Sequence, residues 1–170
     1  MVIKTNFYVS ALLDMDNDAI EQLHKWNNIN NWGLFFYDTK KGTFNNNYFC
    51  TIKNNVSIQL KYSHVFILIV GDRTKNLTHG SCLYCNFYNS WKSECLISKN
   101  VDIRSFVDYE CENAIESGLD IIVLYNDIVV DRNKCPESIK HRGTHKAMRE
   151  YKDGLYQWNY NSVYSALGLK

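Results

Sequence analysis

The chain has 170 residues, a formal net charge of +1 and a hydrophobic fraction of 45%. That length and composition fit one globular domain, and the near-neutral balance excludes a broad basic face for nucleic acid or anionic membrane. No apolar run approaches the ~20 residues that span a bilayer, and residues 1–10 (MVIKTNFYVS) carry no long apolar segment with a cleavage site.

Residues 2–9 read as a strand. Asp16 or Asn17 caps a helix that runs to about Trp26. Residues 33–37 (GLFFY) form a short buried strand, and a polar, Asn-rich loop follows over 38–47. Residues 50–62 fit a helix through Ile52, Val56 and Leu60. Residues 64–70 (HVFILIV) are a continuous apolar strand, the kind covered on both faces. A long irregular stretch, 71–102, comes next. The spacing then predicts a helix from Ile103, with Ile103, Phe106, Val107, Cys111, Ala114 and Ile115 on one face. A Gly stop leads to another buried strand over 120–125. Residues 155–158 (LYQW) are expected as a fifth strand and 160–167 as a last helix.

Apolar strands alternating with amphipathic helices predict an α/β fold: a parallel sheet of about five strands with helices on both faces. Crossovers in such sheets are right-handed, and ligands bind at the carboxyl ends of the strands. The loops after Val9, Tyr37, Val70 and Tyr125 are therefore expected at one edge. Glu110 falls in the middle of the apolar stripe of the 103–116 helix, whereas Asp108, Glu112 and Glu116 point toward solvent. A stray Glu on such a face usually pairs with a cation or snorkels at the margin. Glu110 is central instead, and its helix begins at the ligand edge. Burial would raise its pKa, a feature common at functional sites.

The run YSHVFILIVGDRT followed by FVDYECENAIESGLDIIVLYN resembles the core of a TIR domain. More narrowly, it is similar to the TIR-like proteins of the bacterial Thoeris anti-phage defence system (ThsB type). The matching features are an apolar third strand closed by Gly71-Asp72-Arg73-Thr74 and an aromatic-Val-x-x-Glu helix at Phe106, Val107 and Glu110. Ala114, Gly118, Ile121 and Ile122 mark the exit into the fourth strand. Ser10, in NFYVSALLDMDND, stands where the family has a Ser after its first strand. The stretches NKCPES and VYSALG extend the likeness toward the C-terminus. Phe106 replaces the usual Trp, and 75–101 is longer than the connection typical there.

The resemblance implies a flavodoxin-like TIR-type fold: one domain over 1–170 with an insertion at about 75–101. It implies an NAD+ nucleosidase or ADP-ribosyl cyclase-type enzyme, with NAD+ as substrate and no further cofactor. Glu110 is then the catalytic residue, contacting the ribose hydroxyls as the nicotinamide bond breaks. The product is a cyclic or modified ADP-ribose that activates a separate effector protein. A phage trigger protein and self-assembly through TIR surfaces are further implied partners; nucleic acid and membrane are not. Cytoplasmic localisation is expected, and with it thiols rather than disulfides among the six cysteines.

Supporting candidates are Ser10 for a ribose or phosphate, Asp38 after the second strand, and Phe44 for stacking on a base. Thr74 and Phe106 complete the substrate-binding set. Thr74 equally suits a turn, and Arg73 suits a phosphate, Glu110 or plain solvent. His79-x2-Cys82-x2-Cys85 with Cys95 has zinc-type spacing. No second Cys-x2-Cys accompanies it, so free thiols under a loop are favoured. Asp14-x-Asp16-x-Asp18 is rejected as a calcium loop, which needs Gly at Ala19 and Glu at Lys25.

Two rival classes stand beside the enzyme. One is a receiver-like or nucleotide-binding signalling module with acidic groups at Asp14, Asp16 and Asp72, although Asn126 stands where a Ser or Thr is wanted. The other is a non-enzymatic TIR scaffold acting by protein–protein assembly.

Overall fold

The computed structural model describes residues 5–12, 15–38, 48–98 and 100–169. The first strand, β1 (Asn6–Ser10), leads into helix α1 (Asn17–Asn30), strand β2 (Phe35–Asp38) and helix α2 (Phe49–Lys61). Strand β3 (Val65–Val70) follows. The sequence then leaves the sheet for a small hairpin, β4 (Tyr88–Asn89) and β5 (Glu94–Cys95), before helix α3 (Phe106–Glu116) and strand β6 (Asp120–Tyr125). The last elements are β7 (Thr144–Ala147), β8 (Arg149–Lys152), β9 (Leu155–Trp158) and helix α4 (Tyr160–Ala166).

Five strands form one parallel sheet in the order β2-β1-β3-β6-β7. The expected α/β architecture is therefore present. β1 has β2 on one side and β3 on the other, so the winding direction reverses there, and ligand crevices form at such points. All six residues of β3 are buried, in keeping with its unbroken apolar run.

Side chains along a strand alternate between faces. Phe7 and Val9 join Ile67, Ile69, Ile122 and Leu124 under α1 and α4. Tyr8 joins Phe66, Leu68, Val70 and Val123 under α2 and α3. α1 contributes Ala19, Ile20, Leu23 and Trp26 to the first layer, and α3 contributes Val107, Cys111 and Ala114 to the second. Ser10 shares the parity of Tyr8, so it too belongs to the α3 face.

Several elements differ from expectation, and α1 runs on to Asn30 rather than ending at about Trp26. α3 begins at Phe106, because Ser105 caps it: the Ser105 hydroxyl accepts from the Asp108 amide and donates to the Asp108 carboxylate. Ile103 is left outside, 61% exposed. Residues 155–158 do not join the sheet. They pair antiparallel with β8 across Asp153-Gly154, whose φ angles of 53° and 80° suit a two-residue hairpin turn. Arg149 ties the base of this hairpin down: its guanidinium lies 3.9 Å above the Trp158 ring and bonds Asn126 and Asp18.

The fifth sheet strand is instead β7, with the polar sequence THKA. It reaches β6 through Gly143, which has φ 73° and packs so closely on Ile121 that a Cβ would lie 2.0 Å from the Ile121 carbonyl oxygen. Gly143→Ala therefore both strains the backbone and pushes β7 off β6. We expect a loss of about 2 kcal/mol or more, read as a lower urea midpoint with unchanged slope.

Candidate functional site

Glu110 sits one turn into α3, on the stripe formed by Val107, Cys111 and Ala114. It is 4% exposed. Its two oxygens meet two hydroxyls of β1: Tyr8 donates to Oε1 at 2.8 Å, and Ser10 donates to Oε2. A carboxylate in a dry helix–sheet interface needs such donors, since burial disfavours its charge. Burial dominates even so. It pushes the Glu110 pKa up to about 7, against the lowering effect of Ser10 and Tyr8.

Of the sequence candidates, the structure brings together Glu110 and Ser10 and adds Tyr8, which the sequence reading missed. Phe106 is half-buried at the start of α3, in a ring cluster with Phe49 (5.4 Å) and His79 (5.3 Å). It is not among the side chains packed on the β3 face with Val107 and Cys111. Gly80 lets it sit there, because a Cβ on Gly80 would fall 2.5 Å from the Phe106 ring. Thr74 is buried and accepts from the Gly71 amide at 2.8 Å, closing the turn after β3. Arg73 is exposed in that turn. Asp38 ends β2 beside Val9, its side chain outside the described residues, as is Phe44 altogether.

The His/Cys group does not assemble. His79 faces aromatic rings, Cys82 Sγ accepts from the Asp102 amide, and Cys95 Sγ accepts from the Ser98 amide. Cys50, Cys82, Cys85, Cys95, Cys111 and Cys135 are all free thiols. Among the described residues, no three His, Cys, Asp or Glu side chains are placed to hold a metal ion.

The insertion is nonetheless well anchored. Lys53 of α2 is buried, reaching the Asp102 carboxylate at 3.2 Å and the Arg104 carbonyl at 2.7 Å. Burial pushes Asp102 up, but Arg104 and Lys53 outweigh it and hold its pKa at about 2. The His79 carbonyl accepts from the Phe106 amide, and the Tyr48 and Phe87 rings meet at 4.7 Å. The insertion thus packs on the starts of α2 and α3, both of which follow strands of the sheet. Its outer side is apolar, with Trp91 97% and Tyr84 64% exposed.

A second polar feature lies beyond β3 and β6. A cavity of about 310 Å³ is lined in part by Asp16, Gly71, Asp72, Asn126, Asp127 and Lys134. Lys134 bridges Asp72 (2.7 Å) and Asp127 (3.3 Å). Asp16 is buried over Gly71, with Oδ1 accepting from Asn126 at 3.0 Å. Burial raises its pKa against that hydrogen bond, and Asp18 and Asp72 add to the rise. Lys134 was also missed in the sequence, since it lies in an irregular stretch with no periodic signal.

The raised pKa of Glu110 has a thermodynamic consequence. Between pH 4.5 and about 7 the unfolded chain loses this proton while the folded chain keeps it. The contribution of Glu110 to stability is therefore greatest below that window and falls by roughly 3 kcal/mol as pH rises through it. Glu110→Gln should remove that part of the slope. Urea denaturation at intervals from pH 4 to pH 8 checks this, and equal slopes in both proteins would show that Glu110 titrates normally.

Residues 7–79 match a family model described as Thoeris protein ThsB, TIR-like domain. No curated protein matches the chain. One similar solved structure is a de novo designed Rossmann 2x3 fold protein: 12% identity, 98% of this chain and 87% of that one, TM-score 0.46. Another is a 2-deoxyribosyltransferase from the psychrotolerant bacterium Bacillus psychrosaccharolyticus: 9% identity, 94% of this chain and 96% of that one, TM-score 0.44. Both likenesses are too distant to carry an argument. Among the described residues no helix is long and apolar enough to cross a membrane. The family match runs from β1 to the start of the insertion, and over those residues the chain is similar to the TIR-like domain of Thoeris protein ThsB.

Proposed function

We propose that this protein cleaves the nicotinamide–ribose bond of NAD+, with Glu110 as the catalytic carboxylate. The released cyclic or modified ADP-ribose would activate a separate effector in phage defence. The observation that carries this reading is the buried Glu110 carboxylate, one turn inside a helix that starts at the carboxyl ends of the strands. Among the described residues it is held by two hydroxyls and by no basic side chain. Glu110 lies beyond the residues of the family match, so its role rests on this geometry and on the resemblance of its helix.

The chemistry follows from charge. As nicotinamide leaves, positive charge develops on the ribose C1 and its ring oxygen. An ionised carboxylate in a low-dielectric site stabilises that charge more than water does. Its dry surroundings cost stability in the resting protein and strengthen the interaction in the transition state. At 4% exposure, access of NAD+ to Glu110 requires local rearrangement at the β1–α3 interface. The insertion, packed at the starts of α2 and α3, is placed to shape the substrate's approach or to meet a trigger protein.

A non-enzymatic scaffold is the second reading. The exposed Trp91, Tyr84 and Leu83 of the insertion favour it, since exposed aromatics suit protein contacts. Mass spectrometry of products after incubation with NAD+, with the activating trigger present, separates the two. Glu110→Gln is expected to fold and to lose at least about 100-fold in turnover. Wild-type turnover should rise with pH up to about 7, as the carboxylate ionises. Full activity in the Gln variant would remove Glu110 from the chemistry, and absence of products from the triggered wild type would leave the scaffold.

A further inference from the structure

Glu110 is held unevenly. Tyr8 lies in the middle of β1 and Ser10 at its carboxyl end. β1 runs parallel to its neighbours, with Tyr8 beside Phe66 and Ser10 beside Leu68. Oε1 is therefore gripped from within the sheet, and Oε2 is met at the edge where a ligand arrives. The Tyr8 ring is fully buried and stacks on Phe66, with centroids 6.0 Å apart at 17°. Its hydroxyl is thus fixed by packing, whereas a Ser hydroxyl turns about one bond.

We propose that Tyr8 is a positioning residue for Glu110. Its hydroxyl anchors Oε1 and sets the carboxylate plane, which leaves Oε2, shared with Ser10 at the strand end, as the oxygen presented to a hydroxyl-bearing substrate. This rests on the reading of Glu110 as the catalytic carboxylate. Tyr8 touches no substrate in this scheme and acts only through Glu110.

The surroundings make the anchor matter. Tyr8 from β1 and Cys111 from its own helix are the titratable groups beside the carboxylate. β3 and β6 present the apolar Phe66, Leu68, Val70 and Val123, and Tyr125 of β6, on the same face, has its hydroxyl paired with His145. Lys53 of α2 is turned to Asp102 and the Arg104 carbonyl, and Arg104 to Asp102 and Glu112. Among the described residues no nearby cation shares the task of the two hydroxyls, so losing one of them is felt in full. A hydrogen bond to a charged group of this kind corresponds to a shift of about one to two pH units.

The test is a carbon-13 NMR titration of the glutamate carboxyls in the full-length protein. The Glu110 resonance is identified by its absence in Glu110→Gln. Tyr8→Phe is expected to move the Glu110 midpoint upward by about one to two pH units, and 3-fluorotyrosine at position 8, a stronger donor, to move it down. A Tyr8 that merely fills space would move it in neither case. In the same variants the acid limb of NAD+ turnover is expected to follow the midpoint, with kcat near pH 7 lowered in Tyr8→Phe and raised with 3-fluorotyrosine, and KM within about twofold. Ser10→Ala is expected to raise KM instead.

An unmoved midpoint in both Tyr8 variants overturns the proposal. So does a moved midpoint with an unmoved turnover profile in an active enzyme. Should Tyr8→Phe not fold, the fluorinated protein decides alone. Absence of turnover in the triggered wild type would defeat the assigned activity, while the titration would still decide whether Tyr8 holds the carboxylate.

Discussion

A carboxylate carried into a helix–sheet interface must be met by donors or carry a proton, and the meeting of Glu110 with Tyr8 and Ser10 is where the two ends of this fold depend on each other. The three residues come from β1 and from a helix about a hundred positions later. For the hydroxyls to reach the carboxylate, α3 must lie across β1 and β3 at one register. The apolar stripe of Val107, Cys111 and Ala114 sets that register against Phe66, Leu68 and Val123. The Ser105 cap sets where the helix begins, and hence how far along it Glu110 falls. Hydrophobic packing supplies most of the stability, and the polar contact selects which packing is right.

On the proposed activity, the same contact sets stability against catalysis. An apolar residue at position 110 would suit the interface better than an acid does. The fold instead carries a group whose ionised form is disfavoured by its surroundings, a common mark of a site kept for chemistry.

The sequence was informative where periodicity was strong. β3, β6 and the buried face of α3 were readable from apolar spacing, and Glu110 stood out because it broke that spacing. β7 was not readable: THKA is short, polar and half-exposed, and it joins the sheet only because Gly143 lets the backbone lie against Ile121. Residues 155–158 were readable as a strand but not as a sheet member. Asp153-Gly154 was the available hairpin signal, and it should have paired them with their neighbours rather than with β6. The start of α3 was placed too early because Ile103 fitted the stripe, whereas Ser105 was the better mark of a terminus. Tyr8 and Lys134 carry no local pattern at all. Their partners are remote in the chain or on irregular backbone, and only the folded arrangement brings them together.

The anchoring of the insertion has a consequence for how much change this segment can tolerate. It leaves after the third strand and returns to the third long helix at nearly one point, because His79 meets Phe106 and Cys82 meets Asp102 through their backbones. Buried Lys53 clamps the returning end independently of what lies between. A segment closed at its base in this way is thermodynamically separable from the sheet. Doubling its length adds only about 0.6 kcal/mol of closure entropy. Its hairpin, with exposed Trp91 at the turn, can thus be lengthened, shortened or exchanged while the strands beneath keep their register.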